Sequence, residues 1–162
     1  GLDFSSEAVS LCNNWYNEQK NLTFIEGNAE NLPFPDSSFD IVYNVESSHC
    51  YGSPSEFINE VFRVLRTGGS FCWTDFRDNK SIESINQMFL DSGFKIVSKR
   101  EITMEVLDAL DSINEAKTAT IKKLVPKTIR RSFETFAGVQ GTPVYDAFRS
   151  KKLKYFSYQM IK

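Results

Sequence analysis

Two residues at the ends of consecutive predicted strands are suited to acid–base chemistry. His49 is the only histidine of the chain and lies just beyond a strand predicted at residues 39–43. Asp75 lies at the carboxyl end of the next strand, predicted at residues 70–76. Open α/β sheets bind ligands at that end of their strands, and imidazole is the natural general base near neutral pH. We predict that Asp75 orients His49 or takes a proton itself. The alternatives are a loop histidine without a role and an aspartate that caps the next helix.

A second group of residues has the chemistry to hold a nucleoside. Asp3 ends another short strand, where a carboxylate can bind two ribose hydroxyls. Asn28 and Ala29 follow the next strand, where an amide side chain and a backbone N–H could contact an adenine edge, with Leu32 and Phe34 as an apolar wall. The alternative for Asp3 is a residue that neighbours a helix cap. Asn28 and Ala29 could instead form a plain turn, and Leu32 and Phe34 could simply cover the edge of the sheet.

Short strands alternate with amphipathic helices along the first hundred residues. Besides the two strands above, strands are predicted at residues 2–4, 22–25 and 94–98, and helices at 6–18, 54–67 and 82–89. Ser5 is expected to cap the first of these helices and Ser53 the second, which Gly68 and Gly69 are expected to end. This alternation with short links predicts a mostly parallel α/β sheet with helices on both faces.

The pattern changes after residue 100. Apolar residues at helical spacing predict one long helix over 106–124, ending before Pro126. Two shorter helices are predicted near 129–136 and 144–148, and a last strand rich in aromatic residues at 153–161. No linker or internal repeat divides the 162 residues, so we predict one domain.

The composition argues against several classes of protein. The chain is 41% apolar and 25% charged, as in globular domains. Its formal net charge of −2 favours neither nucleic acid nor an anionic membrane as a partner, and no apolar stretch reaches the length of a membrane span. The three cysteines form no Cys-x-x-Cys pair, which argues against a disulfide framework or a metal site and suits a reducing cytoplasm.

Several segments resemble, in order and spacing, successive motifs of the class I S-adenosylmethionine-dependent methyltransferases of type 11. These segments are Gly1–Ser5, Gly27–Phe34, Ser38–Val42 and Glu60–Gly69. A closer likeness, to the mycobacterial phthiotriolone/phenolphthiotriolone dimycocerosate O-methyltransferases, is carried by Asn44–Tyr51, Thr74–Arg77, Phe136–Val139 and the last strand.

The resemblance implies a Rossmann-like fold that transfers a methyl group from S-adenosyl-L-methionine to a hydroxyl of a small, apolar acceptor such as a polyketide, lipid or glycoside. It implies that His49 is the general base and Asp75 its partner. The cofactor contacts that it implies are Asp3, Phe4, Asn28, Ala29 and Asn44. Two alternatives stay open: an N- or C-methyltransferase acting on phosphoethanolamine or a sterol, and an inactive fragment or binding module.

The same resemblance divides the domain. Residues 1–100 would form the cofactor-binding core, residues 101–150 a helical lid over the acceptor, and residues 151–162 the last strand. Asn28 stands where many members carry Asp, although its amide oxygen can still accept a hydrogen bond from adenine. No glycines form the Gly-x-Gly loop that the family places on its first strand. We therefore expect the chain to be truncated at its N-terminus and inactive by itself.

Overall fold

Six strands and seven helices follow one another along residues 1–162 in the computed structural model. The strands are β1 (Leu2–Asp3), β2 (Ile25–Glu26), β3 (Phe39–Val45), β4 (Leu65–Arg77), β5 (Lys95–Glu101) and β6 (Lys154–Ile161). The helices are α1 (Ser6–Trp15), α2 (Pro54–Val64), α3 (Asn79–Asp91), α4 (Thr103–Ser112), α5 (Asn114–Leu124), α6 (Arg130–Phe136) and α7 (Pro143–Arg149). A 3₁₀ turn, Ser48–Cys50, follows β3. None of the helices is both long and apolar enough to cross a bilayer.

The strands form two sheets. Strands β1 and β2 pair in parallel, and the larger sheet has the order β3-β4-β6-β5. Strands β3 and β4 are parallel, whereas β6 is antiparallel to both of its neighbours. Strands β3, β4 and β5 therefore run in the same direction, and only β6 is reversed. The predicted α/β architecture with a mostly parallel sheet is confirmed.

Helices α2 and α3 cover one face of the larger sheet. Phe71 and Trp73 alternate with half-exposed residues along β4, and both are almost completely buried. The Phe71 ring packs edge-on against Phe57 of α2, at a centroid distance of 6.0 Å, and the Trp73 ring packs against Phe89 of α3 at 5.6 Å. Burial of each such ring stabilises the fold by roughly 1.5–3 kcal/mol. This aromatic layer makes β4 a rigid support for the residues at its carboxyl end.

The opposite face of the sheet is covered only near its carboxyl end. There Phe148 of α7 packs edge-on against Phe76 of β4, at 5.5 Å. Further back, Ile41, Tyr43 and Val45 point to this face, and they are 63%, 77% and 59% exposed. Strand β3 pairs only with β4, so its other edge is unpaired in this chain.

The first helix is shorter and the second strand starts later than the sequence predicts. Helix α1 begins after Ser5 as expected, and the Ser5 hydroxyl accepts a hydrogen bond from the Ala8 N–H at 3.1 Å. The helix ends at Trp15 because the Asn13 side chain turns to the backbone of Phe24. It donates to the Phe24 carbonyl at 3.0 Å and accepts from its N–H at 3.2 Å. A side chain thus takes the place of a neighbouring strand, and β2 is reduced to two residues.

The two glycines predicted to end the second helix lie instead in a bulge. Helix α2 ends at Val64, and β4 begins at once because the Leu65 side chain is fully buried and its backbone is extended. The pairing register slips between Phe39 and Ile41, so residues 66–69 bulge out of the ladder. Gly68 takes a left-handed conformation there, with φ of +79°. Strand β4 is therefore longer at its start than the predicted segment 70–76.

The long helix predicted over 106–124 is broken at Ile113 into α4 and α5. Just before the break, the Ser112 hydroxyl donates to the Ala109 carbonyl at 2.8 Å, and the Asp111 carboxylate accepts from the Tyr145 hydroxyl at 2.7 Å. Such side-chain bonds compete with helical backbone bonds. The break lets α4 pack against α7, where Leu107 and Tyr145 are buried together.

The segment after β2 is fastened to α2 by two charged side chains. The Arg63 guanidinium donates to the carbonyls of Leu32 and Phe34, at 3.0 and 2.8 Å. The Glu60 carboxylate accepts from the Leu32 N–H at 2.7 Å and also binds Arg63. These bonds hold the small sheet and the turn that follows it at the edge of the larger sheet, where the candidate site lies.

Candidate active site

A cleft of about 1050 Å³ gathers residues from both halves of the chain. Asp3, Phe4, Asn28 and Ala29 line it from the ends of β1 and β2, and His49 lines it from the turn after β3. The helical segment adds an apolar lining: Val106, Leu110, Phe136, Val144 and Phe148. Five of the seven predicted site residues thus line one cleft, and Asp75 touches it through His49.

His49 and Asp75 form a direct pair at the base of this cleft. The His49 Nδ1 atom lies 2.8 Å from the Asp75 Oδ1 atom. The Asp75 side chain is completely buried, whereas 29% of the His49 side chain is exposed. The imidazole also rests on the Phe76 ring, at a centroid distance of 4.4 Å. Because Nδ1 is engaged by the carboxylate, Nε2 is the ring nitrogen left free to meet a ligand.

Hydrogen bonds and an ion pair engage both oxygens of the Asp75 carboxylate. Its Oδ2 atom accepts from the Ser48 hydroxyl at 2.7 Å and from the His49 N–H at 3.0 Å, and it lies 3.2 Å from the Arg77 guanidinium. Its Oδ1 atom accepts from the Phe76 N–H at 2.9 Å in addition to meeting the imidazole. The orientation of the carboxylate is therefore fixed, and its charge is balanced inside the protein rather than by water.

A tyrosine and a glutamate form another pair in the cleft wall. The Tyr155 hydroxyl donates to the Glu46 carboxylate at 2.7 Å. Burial and this neighbouring carboxylate both raise the pKa of Tyr155 well above its usual value. Tyr155 thus stays a neutral phenol at physiological pH. Glu46 is in the left-handed region, with φ of +50°, an unusual conformation that occurs often at functional sites.

The residues predicted to hold a nucleoside have free polar atoms. One Asp3 oxygen accepts from the Ser5 N–H at 2.8 Å, and the other has no protein partner. The Asn28 amide oxygen accepts from the Glu30 N–H at 2.9 Å, which leaves its NH₂ group without a protein partner. Phe4 is 80% exposed at the same end of the cleft. The free carboxylate oxygen suits the hydroxyls of a ribose. The amide donor and the exposed aromatic ring suit a planar base.

Asn44 lies behind the cleft wall instead of lining it. Its amide donates to the Ser47 hydroxyl at 2.8 Å and to the Tyr51 hydroxyl at 3.0 Å, and these two residues do line the cleft. Its Oδ1 atom is buried without a hydrogen-bond partner. The predicted contact between Asn44 and a cofactor stays a prediction, while the structure assigns Asn44 a role in placing its two neighbours.

Sequence reasoning missed the residues that surround the histidine–aspartate pair. Arg77 follows Asp75 by two positions in a strand, so alternation places both on one face, and this signal was present in the sequence. Ser48 directly precedes the histidine. The pairing of Tyr155 with Glu46 had no local signal, because these residues are 109 positions apart and meet only through the topology of the sheet.

Comparison with known proteins gives a consistent picture. Residues 1–73 match the model of a methyltransferase domain. Over its full length the chain is 35% identical to a phthiotriol/phenolphthiotriol dimycocerosates methyltransferase of Mycobacterium leprae, of which it covers 60%. It is 33% identical, again over its full length, to a fatty-acid O-methyltransferase of Mycolicibacterium smegmatis, of which it covers 58%. The chain thus spans a little over half the length of these relatives.

The fold also matches solved structures. The whole chain superimposes on 42% of phosphoethanolamine N-methyltransferase 2 from Haemonchus contortus, solved with S-adenosyl-L-methionine, with a TM-score of 0.78 and 15% identity. Because the identity is low, this likeness shows the fold alone, which is the Rossmann-like fold of methyltransferases.

Proposed function

We propose that the protein transfers a methyl group from S-adenosyl-L-methionine to a hydroxyl of an apolar acceptor. The proposal is supported by the match of residues 1–73 to the model of a methyltransferase domain and by the similarity of the whole chain to methyltransferases named for lipid substrates. The observation that carries this proposal is the His49–Asp75 pair, which presents a free imidazole nitrogen to a cleft with an apolar lining. The activity is proposed for the intact protein.

The proposed cofactor-binding residues are at the end of the cleft formed by β1 and β2. Asp3 would accept hydrogen bonds from the ribose hydroxyls, and Asn28 and Ala29 would meet the adenine. Phe4 would pack against the same ring. When bound, the cofactor supplies a methyl group on a sulfonium, which is already a good leaving group. The protein therefore has two tasks, to orient the acceptor oxygen and to remove its proton.

His49 has the geometry to remove that proton. An alcohol is a weak nucleophile, and a positioned base typically contributes about 10²–10⁴-fold to the rate. The Nε2 atom would accept the hydroxyl proton as the oxygen attacks, and Asp75 would stabilise the imidazolium that forms, without itself being protonated. Phe76 fixes the ring from below, so the imidazole has little freedom to turn away from the acceptor.

The lining of the cleft supports an apolar acceptor. Leu110, Phe136 and Phe148 come from three different helices, and Phe136 is 91% exposed. An exposed aromatic ring beside other apolar side chains favours a ligand that buries it. The relatives with similar sequence are named for lipid substrates, which points to a lipid alcohol or polyketide for this protein as well.

A carboxylic acid is a second candidate acceptor, favoured by Lys117. The Lys117 ammonium lines the cleft, and its one hydrogen bond is to the Ala137 carbonyl at 2.7 Å. Burial lowers its pKa below the usual lysine value. A cation without a carboxylate partner beside an apolar lining suits a fatty acid. A carboxylate needs no base, so this reaction would be insensitive to loss of His49.

Replacement of His49 in the intact protein separates these functions. With a lipid alcohol as acceptor, we expect His49→Ala to lower kcat by about 10²–10⁴-fold, while calorimetry shows unchanged cofactor affinity. Asp75→Asn should act in the same direction, because it removes the charge that stabilises the imidazolium. A fatty acid of the same chain length serves as the matched acceptor. Wild-type turnover of the alcohol by His49→Ala would refute the role of His49 as a base.

A further inference from the structure

We propose that Arg77 is a positioning residue that sets the pH range in which His49 acts as a base. The inference rests on the proposed function, because it assumes that His49 accepts a proton. It concerns a residue that does not line the cleft and therefore acts only through Asp75 and Ser48.

Arg77 contacts the Asp75 carboxylate on the side away from the cleft. Its guanidinium lies 3.2 Å from the Asp75 Oδ2 atom and donates to the Ser48 hydroxyl oxygen at 3.0 Å. It also donates to the Phe76 carbonyl at 2.6 Å, and its carbon lies 5.4 Å from the centre of the Trp73 ring. Only 8% of the residue is exposed. A buried cation with this many partners has one position.

Ser48 links the guanidinium to the carboxylate a second time. Its hydroxyl oxygen accepts hydrogen bonds from Arg77 and, at 2.8 Å, from the Trp73 Nε1–H. The same hydroxyl donates a hydrogen bond to Asp75. The carboxylate therefore faces a permanent positive charge both directly and through a polarised hydroxyl. Arginine stays protonated at every physiological pH.

This arrangement changes the electrostatics of His49. In an isolated histidine–aspartate pair, the carboxylate charge is available to stabilise the imidazolium. Here Arg77 offsets part of the Asp75 charge, so Asp75 stabilises a positive charge on His49 less than it would without Arg77. Arg77 therefore opposes, through Asp75, the build-up of positive charge on the His49 ring.

Other charged groups are present around His49, but none of them is hydrogen-bonded or ion-paired to its ring. Those that line the same cleft come from the end of β1, from the segments after β2 and β3, and from α5. They are Asp3, Glu30, Glu46 and Lys117. The Tyr155 phenol of β6 is bonded to Glu46. Arg77 is the cation joined to the aspartate that the imidazole contacts, so its removal should dominate any shift.

The test compares Arg77→Met with the wild type in the intact protein. Loss of a positive charge near His49 stabilises the imidazolium, so the acid limb of the kcat/KM profile should move to higher pH by about one unit. NMR titration of the assigned His49 ring should show the same shift without any substrate. Arg77→Lys keeps the charge and should restore most of the profile. Arg66→Met, which breaks the exposed pair with Asp40, is the matched control and should leave both measurements unchanged.

The outcomes distinguish this inference from the proposed function. If Arg77→Met is folded and its acid limb and NMR titration coincide with those of the wild type, the role of Arg77 is refuted while His49 can still be the base. If His49→Ala retains full activity, the proposed function itself fails. Should Arg77→Met not fold, Arg77→Gln keeps a donor for the Phe76 carbonyl and is judged by the same two measurements.

Discussion

The residues of the cleft differ in how tightly the protein holds them, and the difference follows their proposed roles. Asp75 is completely buried and accepts hydrogen bonds on both oxygens, so it can orient a neighbour but cannot meet a substrate. His49 is bound on one ring nitrogen only. Asp3 keeps one oxygen without a protein partner. His49 and Asp3 thus face the cleft with unused hydrogen-bonding capacity, while Asp75, whose capacity is filled, supports His49.

Asp3 tests the cofactor-binding end of the cleft. In the intact protein, Asp3→Asn should weaken S-adenosylmethionine binding roughly tenfold to a hundredfold, since a charge-assisted hydrogen bond is worth about 1.5–3 kcal/mol. The Asn side chain can still accept from the Ser5 N–H, so the turn at the start of α1 should be preserved. Calorimetric titration measures the affinity, and Glu18→Ala, on the exposed surface beyond α1, is the control. An unchanged affinity would show that Asp3 is not the ribose ligand.

The placement of His49 and Asp75 could be predicted because the ends of parallel strands share one edge of a sheet. Arg77 was missed because the predicted strand ended at residue 76, although strand alternation places Arg77 on the same face as Asp75. Tyr155 could not be predicted, because it depends on β6 inserting in reverse between β4 and β5. Local pattern carries no information on which strands become neighbours.

At the scale of elements, the cleft depends on two sheets that share no strand pairing. The small sheet reaches the larger one through the turn after β2, where Glu60 and Arg63 of α2 bind the backbone of Leu32. Glu30 adds a bond to the Gly52 N–H at 2.7 Å. These polar contacts place the proposed cofactor residues opposite His49. A substitution on α2 should therefore alter the position of those residues in the cleft.

Arg63→Ala is expected to loosen the cofactor-binding end while leaving the His49–Asp75 pair in place. It removes the bonds to the carbonyls of Leu32 and Phe34. Amide hydrogen exchange should become faster in residues 24–36 and stay unchanged in β4. Arg66→Ala, three residues further on at the start of β4 and exposed, is the matched control. Equal exchange rates in both variants would mean that the turn is held by its own packing.

The starts of the elements were more predictable than their ends. Ser5 and Ser53 cap α1 and α2 as expected, because capping depends on neighbours within three residues. The ends depend on distant contacts: Asn13 bonds to the backbone of Phe24, and Leu65 is buried under the sheet. The break at Ile113 is of the same kind, since it depends on Asp111 meeting Tyr145 of a later helix.

At the scale of the whole molecule, apolar surface is left uncovered beside an unpaired strand edge. Ile41, Tyr43 and Val45 are well exposed on the face of β3 away from α2, and the backbone of β3 has a partner on one side only. Exposed edge strands with apolar side chains pair readily with another chain. The chain of residues 1–162 therefore combines a well-packed core around β4 with a surface prone to association.

We expect this chain to associate reversibly in solution through β3. Sedimentation velocity should show the mean mass rising with concentration, because pairing of two edges satisfies their backbone groups and buries Tyr43 and Val45. The double substitution Tyr43→Lys and Val45→Lys should abolish the rise, since lysines on an edge strand oppose pairing. Leu124→Lys replaces an apolar residue that is 71% exposed on α5 and should have no effect. If the lysine pair left the association unchanged, another surface would be responsible. If the unsubstituted chain stayed monomeric at every concentration, the exposed edge would be protected by its own twist.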